Sequence, residues 1–273
     1  RGLGDVYKRH VLARFGDAGK VAAECDVTVA VLGINKSIER EGQDRFSLEL
    51  PVDQQEFIKE LYKVNPNTVV VLVAGSSMAV NWMDENVPAI LNAWYPGEQG
   101  GNAVAEVLFG DYNPGGRLPL TYYNSLDEIP AFDNYSVKGR TYQYFEGQPL
   151  YEFGYGLSYT KFRYKSKGVN VEQDTVKVSF EVSNTGKYDG DEVTQVYVKY
   201  PETGTYMPLK QLHGFKRVHI KKGKTSKVTI GVPKKDLRYW DEQERKFVTP
   251  KGEYTFMVGA SSEDIKFRET VGL

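Results

Sequence analysis

Between an apolar run ending at Gly33 and a helical pattern opening at Val52 lies Gly33-Ile34-Asn35-Lys36-Ser37-Ile38-Glu39-Arg40-Glu41-Gly42-Gln43-Asp44-Arg45. Three carboxylates, Glu39, Glu41 and Asp44, are interleaved here with Arg40 and Arg45. These are the groups of proton transfer: a carboxyl donates a proton, and an arginine fork positions oxygen-rich partners. A solvated loop of mixed charge has the same composition, so the residues alone leave both readings open. Location favours chemistry. Connections out of a parallel strand usually run about 2–6 residues, and much longer ones are more often functional. In open α/β sheets ligands bind at the carboxyl ends of strands, where this segment emerges.

Competing chemistries find little support. Cys25 is the one cysteine, so no intramolecular disulfide forms. It stands before an apolar run with no histidine nearby in sequence, and is expected as a buried structural thiol. His10, His213 and His219 make no ligand spacing with acids or cysteine, and neither a metal site nor a cofactor is expected. Gly97, Gly100 and Gly101 precede a helix, a place for phosphate. No Gly-Lys-Ser/Thr follows, however, and Glu98 puts negative charge where phosphate would sit. The 35 Lys+Arg balance 36 Asp+Glu, which argues against nucleic acid or an anionic membrane as partner. Lys221, Lys222 and Lys224 are expected in a solvated hairpin. No apolar stretch approaches the length that spans a bilayer.

The elements that hold the acidic segment are legible in the patterning. Val27 to Gly33 and Thr68 to Val73 are apolar, β-branched runs of the kind buried on both sheet faces. Phe57, Ile58, Leu61 and Val64 recur at helical spacing behind Pro51, and Asn65-Pro66-Asn67 ends that helix. Val87 to Trp94 reads as a third strand and Gln99 to Phe109 as a helix ending at Gly110. Such alternation predicts an α/β sandwich with a largely parallel sheet. From about Thr160 the period changes to two. Val176, Val178, Phe180 and Val182 alternate with polar residues, and further strands fit residues 193–200, 211–220, 226–232 and 252–260. Short strands between regular turns predict an all-β sandwich of the immunoglobulin or fibronectin kind. The expected organisation is residues 1–20 as a non-native or linker segment, 21–162 as the α/β domain and 163–273 as the sandwich. The opening Arg1 to Arg9 fits no periodic pattern. Because the chain begins with Arg1 rather than methionine, the lack of a secretory signal decides nothing.

Glu41-Gly42-Gln43-Asp44-Arg45, followed by Leu48, Leu50 and Pro51, resembles the acid/base loop of family 3 glycoside hydrolases. Trp94-Tyr95-Pro96-Gly97-Glu98-Gln99-Gly100-Gly101-Asn102-Ala103 and the stretch Val107 to Pro119 resemble the same family. Pro149-Leu150-Tyr151-Glu152-Phe153-Gly154-Tyr155-Gly156-Leu157-Ser158-Tyr159-Thr160 looks like its junction into a fibronectin type III-like domain. Three such motifs in the family's order are specific, and the resemblance covers the chain from about Asp26 onward.

The resemblance implies a retaining hydrolase that removes β-linked xylose or glucose from non-reducing ends of an oligosaccharide or glycoside. It implies a nucleophilic aspartate on an N-terminal (β/α)₈ barrel that this chain lacks, and an acid/base glutamate on this chain. Matched without gaps, that glutamate is Glu41; Glu39 matches after a gap; Arg45 is expected to position substrate. A general acid must hold its proton well above the ordinary glutamate value of about 4.3, which burial against the barrel beside a second carboxylate would achieve. On its own the chain is therefore expected to be inactive, and the expected compartment is periplasmic or extracellular. Ser37 to Glu41 and Gly139-Arg140-Thr141-Tyr142 look more like the β-xylosidase branch. The alternative is a non-catalytic carbohydrate-binding or scaffold module.

Overall fold

The structure, a computed structural model, describes residues 16–273. The expectation for residues 1–15 lies outside the described residues, while residues 16–23 are helical. The chain forms two compact units. One holds the described residues through Ala105, with Tyr122–Ile129 and Gln148–Leu150. The other holds Glu106–Thr121, Pro130–Gly147 and Tyr151–Leu273.

In the first unit, strands β1 (Thr28–Gly33), β2 (Thr68–Val73) and β3 (Ala89–Asn92) form a parallel sheet in that order. Helix α1 (Val52–Val64) links β1 to β2 and buries Ile58 and Leu61. Each such aliphatic burial contributes about 1.5–3 kcal/mol. Pro51 precedes the helix, Asp53 lies in its first turn and Lys63 in its last, as the backbone dipole favours. Asn65 closes it: its Nδ2 donates to the carbonyls of Ala22 and Cys25 at 3.0 and 2.8 Å.

Three expectations need correction here. First, β1 is not covered on both faces. Ala30 and Leu32 point inward, but Val29 and Val31 are 47% and 65% exposed. The strand lies at the sheet's edge, and an apolar run in sequence does not reveal which neighbours cover it. Second, Cys25 is exposed rather than buried. It sits just ahead of β1, where its backbone carbonyl is tied to Asn65. Third, a short helix α2 (Asn81–Asn86) crosses between β2 and β3. Parallel neighbours require a crossover, and six residues are too few to show a helical period.

Helix α3 (Gly100–Phe109) carries the chain out of the first unit. In the second, the sandwich pairs strands β4 (Phe162–Val171), β5 (Thr175–Asn184) and β8 (Thr225–Pro233) in the order β4-β5-β8. The facing sheet has the order β12-β11-β6-β7. Its strands are β6 (Gly190–Lys199), β7 (Gln211–Ile220), β11 (Glu253–Gly259) and β12 (Ile265–Gly272). Between the sheets lie Val176, Val178, Phe180, Val196, Val198 and Phe256, all essentially inaccessible. The seven-stranded architecture is that of a fibronectin-like sandwich. Lys221, Lys222 and Lys224 are exposed in the turn from β7 to β8.

The alternation expected along β6 breaks down, because both of its faces are covered. Gln195 and Tyr197 are buried although they face away from the sandwich core. Gln195 Nε2 donates to the Gly154 carbonyl at 3.1 Å, and Tyr197 meets Tyr142 edge-on, with ring centroids 5.8 Å apart. A separate hairpin, β9 (Tyr239–Asp241) with β10 (Lys246–Val248), belongs to neither sheet.

Candidate active site

The acidic segment leaves the carboxyl end of β1 and is pinned at both flanks. At its start Gln54 of α1 clamps Gly33 from two sides: its Oε1 accepts from the Gly33 amide and its Nε2 donates to the Gly33 carbonyl, both at 2.8 Å. A Cβ on Gly33 would fall 1.8 Å from the Val73 carbonyl oxygen, so only glycine permits this approach. Asn35 then organises a turn, its Oδ1 accepting from the Ser37 amide and hydroxyl.

At its far side Arg45 is held by the carboxyl end of β2. Its Nη2 donates to Ser76 Oγ and the Ser77 carbonyl at 2.9 and 2.8 Å, and its Nη1 to the Leu48 carbonyl and Met78 Sδ. Its Nε lies 2.5 Å from Glu39 Oε2, which also accepts from Ser76 Oγ at 2.7 Å. A guanidinium has five N–H donors, and here all five have partners. The expectation that Arg45 positions substrate must therefore be revised, because no donor remains for a sugar. Its side chain is 9% exposed, and its contacts hold the loop.

Between these anchors Arg40 and Gln43 exchange backbone hydrogen bonds, closing a tight turn around Glu41 and Gly42. Gly42 has φ +71°, the third-position requirement of a type II turn. Glu41 thus stands at the apex of a braced turn, exposed, and its carboxylate has no hydrogen bond or ion pair among the described residues. Asp44 is exposed as well. The two candidate glutamates have different surroundings: Glu39 is engaged as an acceptor, and Glu41 is presented outward.

The carboxyl end of β3 adds aromatic groups. Trp94 has φ +55°, a costly conformation for a bulky residue and one that clusters at functional sites. The Tyr95 hydroxyl donates to the Ile34 carbonyl at 3.2 Å, and its ring lies against Gly75. Tyr95 thereby links the ends of β1, β2 and β3. Asn92 donates to Tyr122 Oη at 3.1 Å, and burial pushes that phenol up to about 12 despite the hydrogen bond. Trp82 packs edge-on against Tyr62, with centroids 5.6 Å apart. Ser76 is not singled out in the sequence, and Asn35 and Tyr95 appear there only inside longer motifs, although the strand-end rule that singled out the acidic segment applies equally to Ser76 and Tyr95.

A braced carboxylate turn at the strand ends of an α/β unit is followed in the chain by a fibronectin-like sandwich. Residues 9–159 match the glycosyl hydrolase family 3 C-terminal domain, and residues 192–262 match a fibronectin type III-like domain. The chain belongs to glycoside hydrolase family 3. It is 43% identical over 225 residues to a xylan 1,4-beta-xylosidase of Xylanibacter ruminicola, covering 82% of this chain and 26% of that protein. It is 38% identical over 264 residues to a beta-glucosidase of Kluyveromyces marxianus, covering 91% of this chain and 31% of that protein. The crystal structure of the Kluyveromyces marxianus beta-glucosidase in complex with glucose superposes with a TM-score of 0.89 at 35% identity, over 95% of this chain and 33% of that one. The chain thus spans about a quarter to a third of these relatives.

Proposed function

We propose that this chain supplies the acid/base carboxyl of a retaining β-glycosidase and that Glu41 carries it. The carrying observation is the contrast within the loop. Arg45 and Ser76 occupy Glu39, whereas the turn closed by Arg40 and Gln43 leaves the Glu41 carboxyl free at its tip. In this reading the nucleophilic carboxylate belongs to a barrel of the same polypeptide, outside this chain. Glu41 protonates the glycosidic oxygen as the nucleophile attacks, then takes a proton from the water that releases the sugar. The substrates are β-linked xylosides or glucosides opened at the non-reducing end, the activities named for the relatives above. Lacking the nucleophile, the chain alone turns over nothing.

The test uses the full-length parent. Glu41→Ala should lower turnover of an unactivated disaccharide by about 10²–10⁴-fold, with a smaller loss on an activated aryl glycoside. Azide should restore the aryl reaction, because it replaces the water that needs a base. If Glu39→Ala shows that pattern and Glu41→Ala does not, the assignment is overturned.

A further inference from the structure

We propose a second sugar-binding site on the sandwich unit, a stacking subsite for a glucosyl or xylosyl ring of a β-linked chain, built around Tyr206 and Trp240. It rests on the reading above for its ligand class and on separate observations for its existence.

The loop leaving β6, the helical turn at Thr141–Tyr144 and the β9–β10 hairpin line a half-open cleft of about 210 Å³ within the second unit. That volume is below the range of drug-sized pockets and suits a single small ring. Tyr144 and Tyr206 stack in its wall, centroids 5.4 Å apart and planes at 19°. Lys138 Nζ lies 4.6 Å from the Tyr206 ring centroid and helps fix it. Yet Tyr206 stays 47% exposed and Trp240 49% exposed.

The hairpin that bears Trp240 contributes no strand to the sandwich. It presents Trp240, braced edge-on by Phe247 at 5.3 Å. Polar groups complete the wall. Gln211 Oε1 is taken by the Tyr200 hydroxyl, which leaves its Nε2 as a donor. Arg238 uses Nε on the Lys235 carbonyl, which leaves its terminal amino groups. Gln143 keeps its Oε1 as an acceptor, its Nε2 being turned to the Tyr142 hydroxyl.

Aromatic faces with donors and an acceptor at the rim match one chemistry closely. A β-gluco- or β-xylopyranose carries its hydroxyls equatorially, so both ring faces are apolar C–H surfaces and the edge is all hydroxyl. The faces stack on Tyr206 and Trp240, and the edge meets Gln143, Gln211 and Arg238. Anionic ligands would leave the stacking faces unused.

Calorimetric titration of the 273-residue chain with xylohexaose and cellohexaose tests this without any hydrolysis. The chain should bind at least one. Trp240→Ala and Tyr206→Ala should each weaken binding about tenfold or more, as loss of a central aromatic anchor does. Tyr206→Phe, which keeps the stacking face and tests against misfolding, should bind like the parent chain. No binding of either sugar, or unchanged binding by both alanine variants, overturns the proposal. Binding by this chain alongside a full-length parent that cleaves no β-glycoside would sink the hydrolase reading and leave this site standing. Cleavage by the parent with no binding here would do the reverse.

Discussion

Arg45 Nε lies 2.5 Å from Glu39 Oε2, and Ser76 bridges the pair by donating to the carboxylate while accepting from Arg45 Nη2. The three groups form a closed triangle at the carboxyl end of β2. The pair is coupled, because the fork geometry that serves Glu39 also serves the Ser77 and Leu48 carbonyls. Lysine cannot reproduce a five-donor fork. Urea unfolding of Glu39→Gln, Arg45→Lys and the double variant should show a coupling energy of about 0.5–3 kcal/mol. Strictly additive losses would mean that Glu39 and Arg45 act separately.

Gly42 makes a complementary prediction about the turn alone. An added Cβ there meets nothing within 4 Å, so Gly42→Ala carries only the backbone penalty of φ +71°. That penalty is about 1–2 kcal/mol. In the full-length parent, turnover of a disaccharide should fall while this chain's melting temperature drops by only a few degrees. Gly42→Asn should fall between alanine and glycine on both measures, because asparagine tolerates the left-handed region. A full loss of folding in either variant would show that the turn is needed for more than the proposed placing of Glu41.

These residues mark where the sequence was legible. Helix α1 spans the Val52–Val64 stretch its pattern marks, although of the periodic residues only Ile58 and Leu61 are buried and Val64 is exposed, and the strand runs at Thr68 and Gln211 begin where the apolar patterns begin. The choice between Glu39 and Glu41 was different. Both lie in one short acidic stretch, and the contacts that Arg45 and Ser76, the latter more than thirty positions downstream, make with Glu39 separate them. Edge position likewise depends on partners, so Val29 and Val31 read as buried and are not. The hairpin at Tyr239 and Lys246 has strands of three residues, too brief for alternation to register. Local pattern reported elements; long-range pairing decided exposure and role.

His213 gives the pH prediction. Burial lowers its pKa below the ordinary value of 6.5, with Asp236 opposing in part, and its Nε2 shares a 2.9 Å hydrogen bond with the Tyr200 hydroxyl. A histidine held neutral in the fold but free to charge in the unfolded chain makes folding proton-sensitive. Its contribution is complete above pH 6.5 and is lost as pH falls from there toward the folded value. The stability of this chain should decline over that window, and His213→Gln should flatten that decline. Identical pH curves for the two proteins would exclude His213 as the source.

The last prediction concerns the ion pair inside the second unit. Arg117 Nη2 lies 3.3 Å from Glu192 Oε2, with side chains 8% and 4% exposed, and the Tyr164 hydroxyl donates to Glu192 Oε1 at 2.9 Å. Burial, followed by the neighbouring Glu192 carboxylate, raises the Tyr164 phenol far above its ordinary value, so it serves as a neutral donor throughout the working range. Removing Glu192 strands a buried guanidinium, whose Nε already has no hydrogen-bond partner among the described residues. Glu192→Ala should therefore cost about 3–5 kcal/mol. Lys246 and Glu244 pair at 2.9 Å but are about 60% exposed, so Glu244→Ala should cost less than about 1 kcal/mol. Replacing Arg117 and Glu192 together by methionine and leucine should recover most of the loss, because the penalty lies in the stranded charge rather than in a missing attraction. If the double variant is as unstable as Glu192→Ala, the pair's geometry and not its charge carries the stability.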